Sequence, residues 1–173
     1  MSNNTTEKKA VVFDLDGTLL YTLEDLKNAT NYALKQNGMP ERTLDEVRRF
    51  VGNGVKLLME RVVPQGADNP KFEKTFSDFK EYYEAHCNDN TAPYDGIMEL
   101  LKELKKRGYI VGVITNGPSY LQNHKMDESG LRPYCDIVTV SGDVGVHKPD
   151  PELFKIVAKR LNLKPEECVY VGD

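Results

Sequence analysis

The sequence predicts a doubly wound parallel α/β sheet interrupted by an inserted helical segment. Four short apolar runs each end at a polar or small residue, and helical patterns fill the intervals between the later ones. Between the first run and the second lies a long stretch of amphipathic helices with no strand. Strands that alternate with helices in this way pack as a parallel sheet. The boundaries follow: residues 1–18 and 93–173 for the α/β core, and 19–92 for the helical insert.

The four strand candidates are Ala10 to Asp14, Ile110 to Thr115, Asp136 to Ser141 and Cys168 to Gly172. Helical patterns cover Gly96 to Arg107, Pro118 to Ser129 and Pro151 to Leu161, with Gly108, Gly130 and Asn162 as stops. In the insert, Thr43-Leu44-Asp45-Glu46 is a capping box that opens one helix. Gly52-Asn53-Gly54 interrupts it, and Val55 to Val63 resumes with Leu57, Leu58 and Val62 on the apolar side. Phe72, Phe76, Phe79 and Tyr83 recur at spacings of three and four, the stripe of a helical-bundle core. Leu19 to Thr22 leads out of the core and Asn90 to Gly96 returns to it, and two such crossings are expected to act as a hinge.

Composition narrows the class. The chain has 173 residues, 39% hydrophobic and 29% charged, enough for a folded core with an insertion. A net charge of −4 without a basic block argues against a nucleic-acid partner. No apolar run approaches the roughly 20 residues that span a bilayer, so no membrane partner is expected. The polar residues Met1 to Lys9 lack the apolar stretch of a signal peptide and read as a frayed tail. Cys87, Cys135 and Cys168 are odd in number and widely spaced, as free thiols in a reducing cytoplasm would be.

The chemistry concentrates at the strand ends. After Ala10-Val11-Val12-Phe13, Asp14 and Asp16 are one residue apart, so both start on one side of the chain, and Gly17 lets the backbone turn away behind them. Two adjacent carboxylates are costly unless a cation sits between them or one holds a proton. At the carboxyl end of a parallel strand they also lie where open α/β sheets bind ligands. A helix-loop-helix calcium site is excluded because the position five after Asp14 is Leu19 rather than Gly. An ordinary Asp-Gly turn is the plain alternative.

Three further segments join this centre. Thr115-Asn116-Gly117-Pro118 ends a strand and opens a helix, where a hydroxyl and backbone amides either hold a phosphate oxygen or simply cap the helix. His147-Lys148-Pro149-Asp150-Pro151 presents Lys148 from a segment stiffened by two prolines. Such a lysine is either solvated or fixed to relieve the repulsion between an aspartate and a phosphate dianion. Val169-Tyr170-Val171-Gly172-Asp173 repeats the pattern of an apolar strand ending in a carboxylate.

Phe13-Asp14-Leu15-Asp16-Gly17-Thr18-Leu19, with Thr115, Lys148 and Gly172-Asp173, resembles the four motifs of the haloacid dehalogenase-like superfamily, from about Val11 to the last residue. The resemblance implies a Rossmann-like core, a helical cap, and phosphatase chemistry with Mg2+. It assigns Asp14 as nucleophile, Asp16 as general acid and then base, Thr115 as a contact to the transferring phosphoryl group and Lys148 as the fixed cation. Asp173 would bind the metal with Asp14 and the backbone carbonyl of Asp16, and the backbone at Gly17, Thr18, Asn116 and Gly117 would hold substrate phosphate. Dehalogenases of the superfamily lack the second aspartate, so Asp16 favours phosphoryl transfer. Family members continue past this point with another acidic residue, helix and strand, so the resemblance implies a chain cut short after Asp173.

The substrate is expected to be a small phosphorylated metabolite, selected by a cap that closes over the site and excludes water. Arg49-Phe50-Val51-Gly52-Asn53-Gly54-Val55 resembles the cap segment of phosphoglycolate phosphatases, which makes Arg49, Gly52, Asn53 and Gly54 candidate carboxylate-binding positions. A plain helix connection is the alternative. Thr115 to Pro118 with Gln122, Lys125, Gly130, Leu131, Ser141 and Val144-Gly145-Val146 looks more like nucleotidases and sugar-phosphate phosphatases. A phosphomutase and an inactive fragment also remain open, as does a monomer or a homodimer.

Overall fold

The structure, a computed structural model, describes residues 7–52 and 54–172. The expectations for Asn53, for Asp173 and for most of the N-terminal tail lie outside the described residues. In chain order the elements are β1 (Ala10–Phe13), β2 (Leu20–Tyr21), α1 (Leu23–Gln36), α2 (Leu44–Phe50), α3 (Val55–Val62), α4 (Phe72–His86), β3 (Ala92–Pro93) and α5 (Ile97–Lys106). They continue with β4 (Ile110–Thr115), α6 (Ser119–Glu128), β5 (Ile137–Val140), α7 (Ser141–Val144), α8 (Pro151–Arg160) and β6 (Cys168–Val171). Contacts divide the chain into two compact units, Met1–Tyr21 with Pro93–Asp173 and Thr22–Ala92.

The first unit is built on a four-stranded sheet in the order β5-β4-β1-β6, with every neighbouring pair parallel. The register sets Phe13 level with both Val113 and Val171, so β1, β4 and β6 finish on one edge. Side chains alternate between the two faces, as a strand requires. Phe13, Val111 and Val113 pack with Leu101 of α5 and Met126 of α6 on one side. Val12 and Ile114 pack with Leu153 and Val157 of α8 on the other. Each such side chain, fully buried, contributes about 1.5–3 kcal/mol. Helices therefore cover both faces, and the sheet is doubly wound.

The second unit is helical. Its aromatic stripe lies in α4, where Phe72, Phe79 and Tyr83 are buried and Phe76 is half-buried, successive rings being stacked at 5.5–6.4 Å. Thr43 and Glu46 form the capping box at α2, the Thr43 N–H donating to Glu46 Oε2 at 2.7 Å. Asp25 in α1 is buried and accepts hydrogen bonds from the Asn90 backbone N–H, the Asn90 side chain and the Thr91 hydroxyl, which ties the end of the unit to its start.

Boundaries differ from expectation where one residue does a second job. Ser141 opens α7 instead of ending β5, because its hydroxyl accepts from the Gly117 N–H at 3.0 Å and is drawn towards the neighbouring strand end. Pro118 is the N-cap of α6 rather than its first helical residue. Strands β2 and β3 are two residues each, too short to leave an alternation in sequence. Gly108, Gly130 and Asn162 all take left-handed conformations after helices, as stop residues do. Cys87, Cys135 and Cys168 are free, and burial pushes the Cys135 thiol up to about 11. Among the described residues, no helix is long and apolar enough to cross a membrane.

Candidate active site

The strand order places the site. Sequence runs outward from β1 through β4 to β5 and then resumes on the opposite side of β1 with β6, so the switch falls between β1 and β6. Crevices outside the carboxyl ends of strands at such a switch are where α/β sheets take ligands.

Asp14 follows β1 directly, and its N–H still donates to Val171 O at 2.8 Å. The chain then turns sharply: the Leu15 carbonyl accepts from the N–H groups of Leu19 (3.0 Å) and Leu20 (2.9 Å), and the Gly17 N–H donates to Leu20 O at 2.8 Å. Gly17 sits at φ +83°, a conformation open to glycine and strained for other residues. Leu15 is buried in the core below this turn, Gly17 is exposed and Thr18 is half-buried.

Asp14 is only 7% exposed. Its Oδ1 lies 2.5 Å from Lys148 Nζ and accepts from the Leu15 N–H at 2.6 Å. Burial pushes the Asp14 carboxyl above its ordinary value, while the Lys148 ammonium and the Leu15 N–H pull it back without cancelling the rise. Lys148 is held from two directions. Its backbone N–H donates to Asn116 Oδ1 at 2.8 Å and its carbonyl accepts from Asn116 Nδ2 at 3.1 Å, while Nζ also lies 3.2 Å from the Tyr170 hydroxyl.

Asp16 has a cation of its own. Its Oδ1 accepts from Lys125 Nζ at 2.7 Å and its Oδ2 from Gln122 Nε2 at 2.7 Å. The Lys125 side chain is 2% exposed and that of Asp16 30%. Gln122 Nε2 also lies 2.9 Å from Thr115 Oγ1 and 2.6 Å from the Asn116 carbonyl. Thr115, at the end of β4, is 1% exposed. Two carboxylates, each beside its own ammonium, can divide nucleophilic attack from proton transfer.

The structure thus brings Asp14, Asp16, Thr115 and Lys148 to one edge of the sheet, with Gly17, Thr18, Asn116 and Gly117 on the same turns. The Asn116 side chain is engaged with the Lys148 backbone, which leaves the expectation for its own backbone untouched. Arg49, Gly52 and Gly54 belong to the helical unit, where all three are exposed on or beside the connection from α2 to α3. Sequence reasoning gave no site role to Lys125, Gln122 or Tyr170. The signal for the first two was available in α6, where the buried stripe Leu121, Gln122, Lys125, Met126 puts an amide and an ammonium at core-facing positions.

The sequence pattern of haloacid dehalogenase-like hydrolases matches residues 11–173. N-acetylmuramic acid 6-phosphate phosphatase of Pseudomonas aeruginosa is 33% identical over 165 residues, covering 95% of this chain and 73% of that protein. Phosphoglycolate phosphatase of Xanthomonas campestris is 31% identical over 165 residues, covering 95% and 74%. Among solved structures, a predicted phosphoglycolate phosphatase from Haemophilus somnus superimposes with a TM-score of 0.86 at 28% identity, covering 98% of this chain and 79% of that one. The chain belongs to the haloacid dehalogenase-like hydrolases and is a phosphatase of that family.

Proposed function

We propose that this phosphatase hydrolyses a phosphomonoester through a phosphoaspartate on Asp14. The observation that carries this is the Lys148 ammonium 2.5 Å from Asp14 Oδ1 at the switch point of the sheet. A carboxylate oxygen of Asp14 attacks phosphorus and the bond from phosphorus to the ester oxygen breaks. Asp16 gives its proton to the departing alkoxide, which leaves as the alcohol. Water then attacks the phosphoaspartate, Asp16 takes a proton from it, and the bond from phosphorus to Asp14 breaks to release inorganic phosphate. Lys148 offsets the repulsion between Asp14 and the incoming dianion. Thr115 Oγ1 accepts from Gln122, which directs its own hydrogen outward to a phosphoryl oxygen.

The donor set suits Mg2+. Both contacts described for Asp14 fall on Oδ1, and both Asp16 carboxylate oxygens are engaged by Lys125 and Gln122. The family resemblance implies that Asp16 would ligate through its backbone carbonyl, with Asp14 and Asp173, which is compatible with its side chain being held by Lys125 and Gln122. Mg2+ retains water and takes few protein carboxylates, so a set this small is sufficient for it. Bound there, Mg2+ would neutralise phosphoryl charge.

For the substrate we favour a small phosphorylated metabolite such as 2-phosphoglycolate, with Arg49, Gly52, Asn53 and Gly54 as the positions that receive its carboxylate. The Xanthomonas relative supports this by its name. A sugar phosphate is the second reading, favoured by the relative that acts on N-acetylmuramic acid 6-phosphate. The test is hydrolysis of p-nitrophenyl phosphate with and without Mg2+, followed by a panel of phosphoglycolate, sugar phosphates and nucleotides. Activity is expected to vanish with a chelator, to return with Mg2+, and to be absent from a folded Asp14→Asn variant. Equal activity in that variant would refute the nucleophile.

A further inference from the structure

We propose that Lys125 and Gln122 are positioning residues that hold Asp16 for both of its proton transfers, an inference that rests on the phosphoaspartate reading above. Lys125 is a buried ammonium on α6, 109 residues from Asp16 in sequence, and its Nζ is 2.7 Å from Asp16 Oδ1. Burying a lysine costs several kcal/mol unless a counter-charge and good geometry offset it. A partly exposed aspartate on a turn needs no such partner for stability. What the pair does supply is a fixed place for the carboxylate.

Gln122 completes the grip. Its Nε2 reaches Asp16 Oδ2, Thr115 Oγ1 and the Asn116 carbonyl, so one amide joins the turn after β1 to the end of β4. Gln122 Oε1 is buried with no hydrogen-bond partner among the described residues. The amide thus leaves its own acceptor unsatisfied to direct its donors at Asp16 and its neighbours. Reversing it would set Oε1 against a carboxylate and a carbonyl, so the orientation is determined by Asp16 and Asn116. Gly117 makes room for it: a Cβ there would lie 2.8 Å from Gln122 Nε2 and 3.0 Å from its Cγ, at φ +148°.

With both oxygens held, Asp16 has one side-chain arrangement, and an acid or base works only within hydrogen-bond reach of its proton. Lys125 and Gln122 act through Asp16 and need not touch substrate. Their loss should therefore mimic loss of Asp16 itself in a way that general destabilisation does not.

The experiment is rapid acid quench of the full chain turning over p-nitrophenyl phosphate with Mg2+, scoring p-nitrophenol and hydroxylamine-labile phosphoenzyme. The variants are Asp14→Asn, Asp16→Asn, Lys125→Met, Lys125→Arg, Gln122→Leu and the double variant Asp16→Asn/Lys125→Met. p-Nitrophenolate leaves without a proton, so losing the base slows only the second step and phosphoenzyme should accumulate. Lys125→Met and Gln122→Leu are expected to lower kcat about 10- to 100-fold and to raise the steady-state phosphoenzyme fraction towards that of Asp16→Asn. Lys125→Arg should recover part of the loss, and the double variant should stay within about 2-fold of Asp16→Asn because the two residues act as one unit. A kcat loss with no rise in phosphoenzyme, or losses that multiply in the double variant, would overturn the inference. If Lys125→Met does not fold, Gln122→Leu decides alone. Absence of phosphoenzyme on Asp14 from both the parent and Asp16→Asn refutes the mechanism itself, whereas its accumulation in Asp16→Asn with a fraction unchanged from the parent in Lys125→Met and Gln122→Leu refutes only the role of Lys125 and Gln122.

Discussion

Asp136 shows how one side chain extends a sheet. It precedes β5, its N–H donates to Val111 O at 2.8 Å, and its Oδ2 accepts from the Val111 N–H at 2.8 Å. The side chain therefore takes the place of a ladder carbonyl just before β5 pairs with β4. Burial opposes ionisation of Asp136, but the Lys105 ammonium and the Val111 N–H outweigh it and hold the carboxyl below the usual carboxylate range. A depressed carboxyl contributes stability that is fully present above its unfolded value, about 4, and that is lost as pH falls through the folded value. Asp136→Ala is expected to cost about 1 kcal/mol at pH 7 in urea unfolding, with the gap to the parent closing below about pH 4. A gap that stays constant from pH 6 to pH 3 would exclude this role. The sequence showed Asp136 as the polar start of an apolar run. That it answers Val111, 25 residues earlier, is a property of the fold and left no local trace.

At the scale of elements, α4 was readable because its packing follows from spacing alone. The stripe at three and four residues predicts one buried face, and the structure grades that face: Phe79 is buried and Phe76 is half-buried. Phe79→Ala should cost about 3–5 kcal/mol, as large-to-small changes in a closed core do, and Phe76→Ala distinctly less. Equal losses in thermal or urea unfolding would mean that stacking between the rings, rather than burial, sets their contribution. In α6 the same periodic reading was incomplete, because the core-facing stripe holds Gln122 and Lys125 between Leu121 and Met126. Periodicity finds a buried face when it is apolar. A face whose polar groups are satisfied by another strand's loop looks like a weaker helix until the fold supplies the partner.

Across the whole molecule, what was legible and what was not divide along chain distance. Asp14, Asp16 and Thr115 stand at the ends of apolar runs, where a short window of sequence already shows strand, turn and functional group, and Lys148 stands in a segment marked by two prolines. The pairing of Asp16 with Lys125, and the engagement of Asn116 with Lys148 across 32 residues, depend on strand order and were not visible. Substrate identity is the hardest case, since relatives of similar identity act on 2-phosphoglycolate or on N-acetylmuramic acid 6-phosphate by their names. The proposed function puts the phosphoryl chemistry in the α/β unit and gives substrate selection to the helical unit, Thr22–Ala92. Lys56 is exposed there near Gly54 at φ +85°, and Arg49 is exposed near Gly52 at φ +121°. If it receives the carboxylate of phosphoglycolate, Arg49→Ala removes a charge-assisted contact of about 1.5–3 kcal/mol, or roughly 10- to 100-fold. The ratio of kcat/KM for 2-phosphoglycolate to that for p-nitrophenyl phosphate, which has no carboxylate, should fall by that factor. An unchanged ratio would remove Arg49 from substrate selection and shift the balance towards the sugar-phosphate reading.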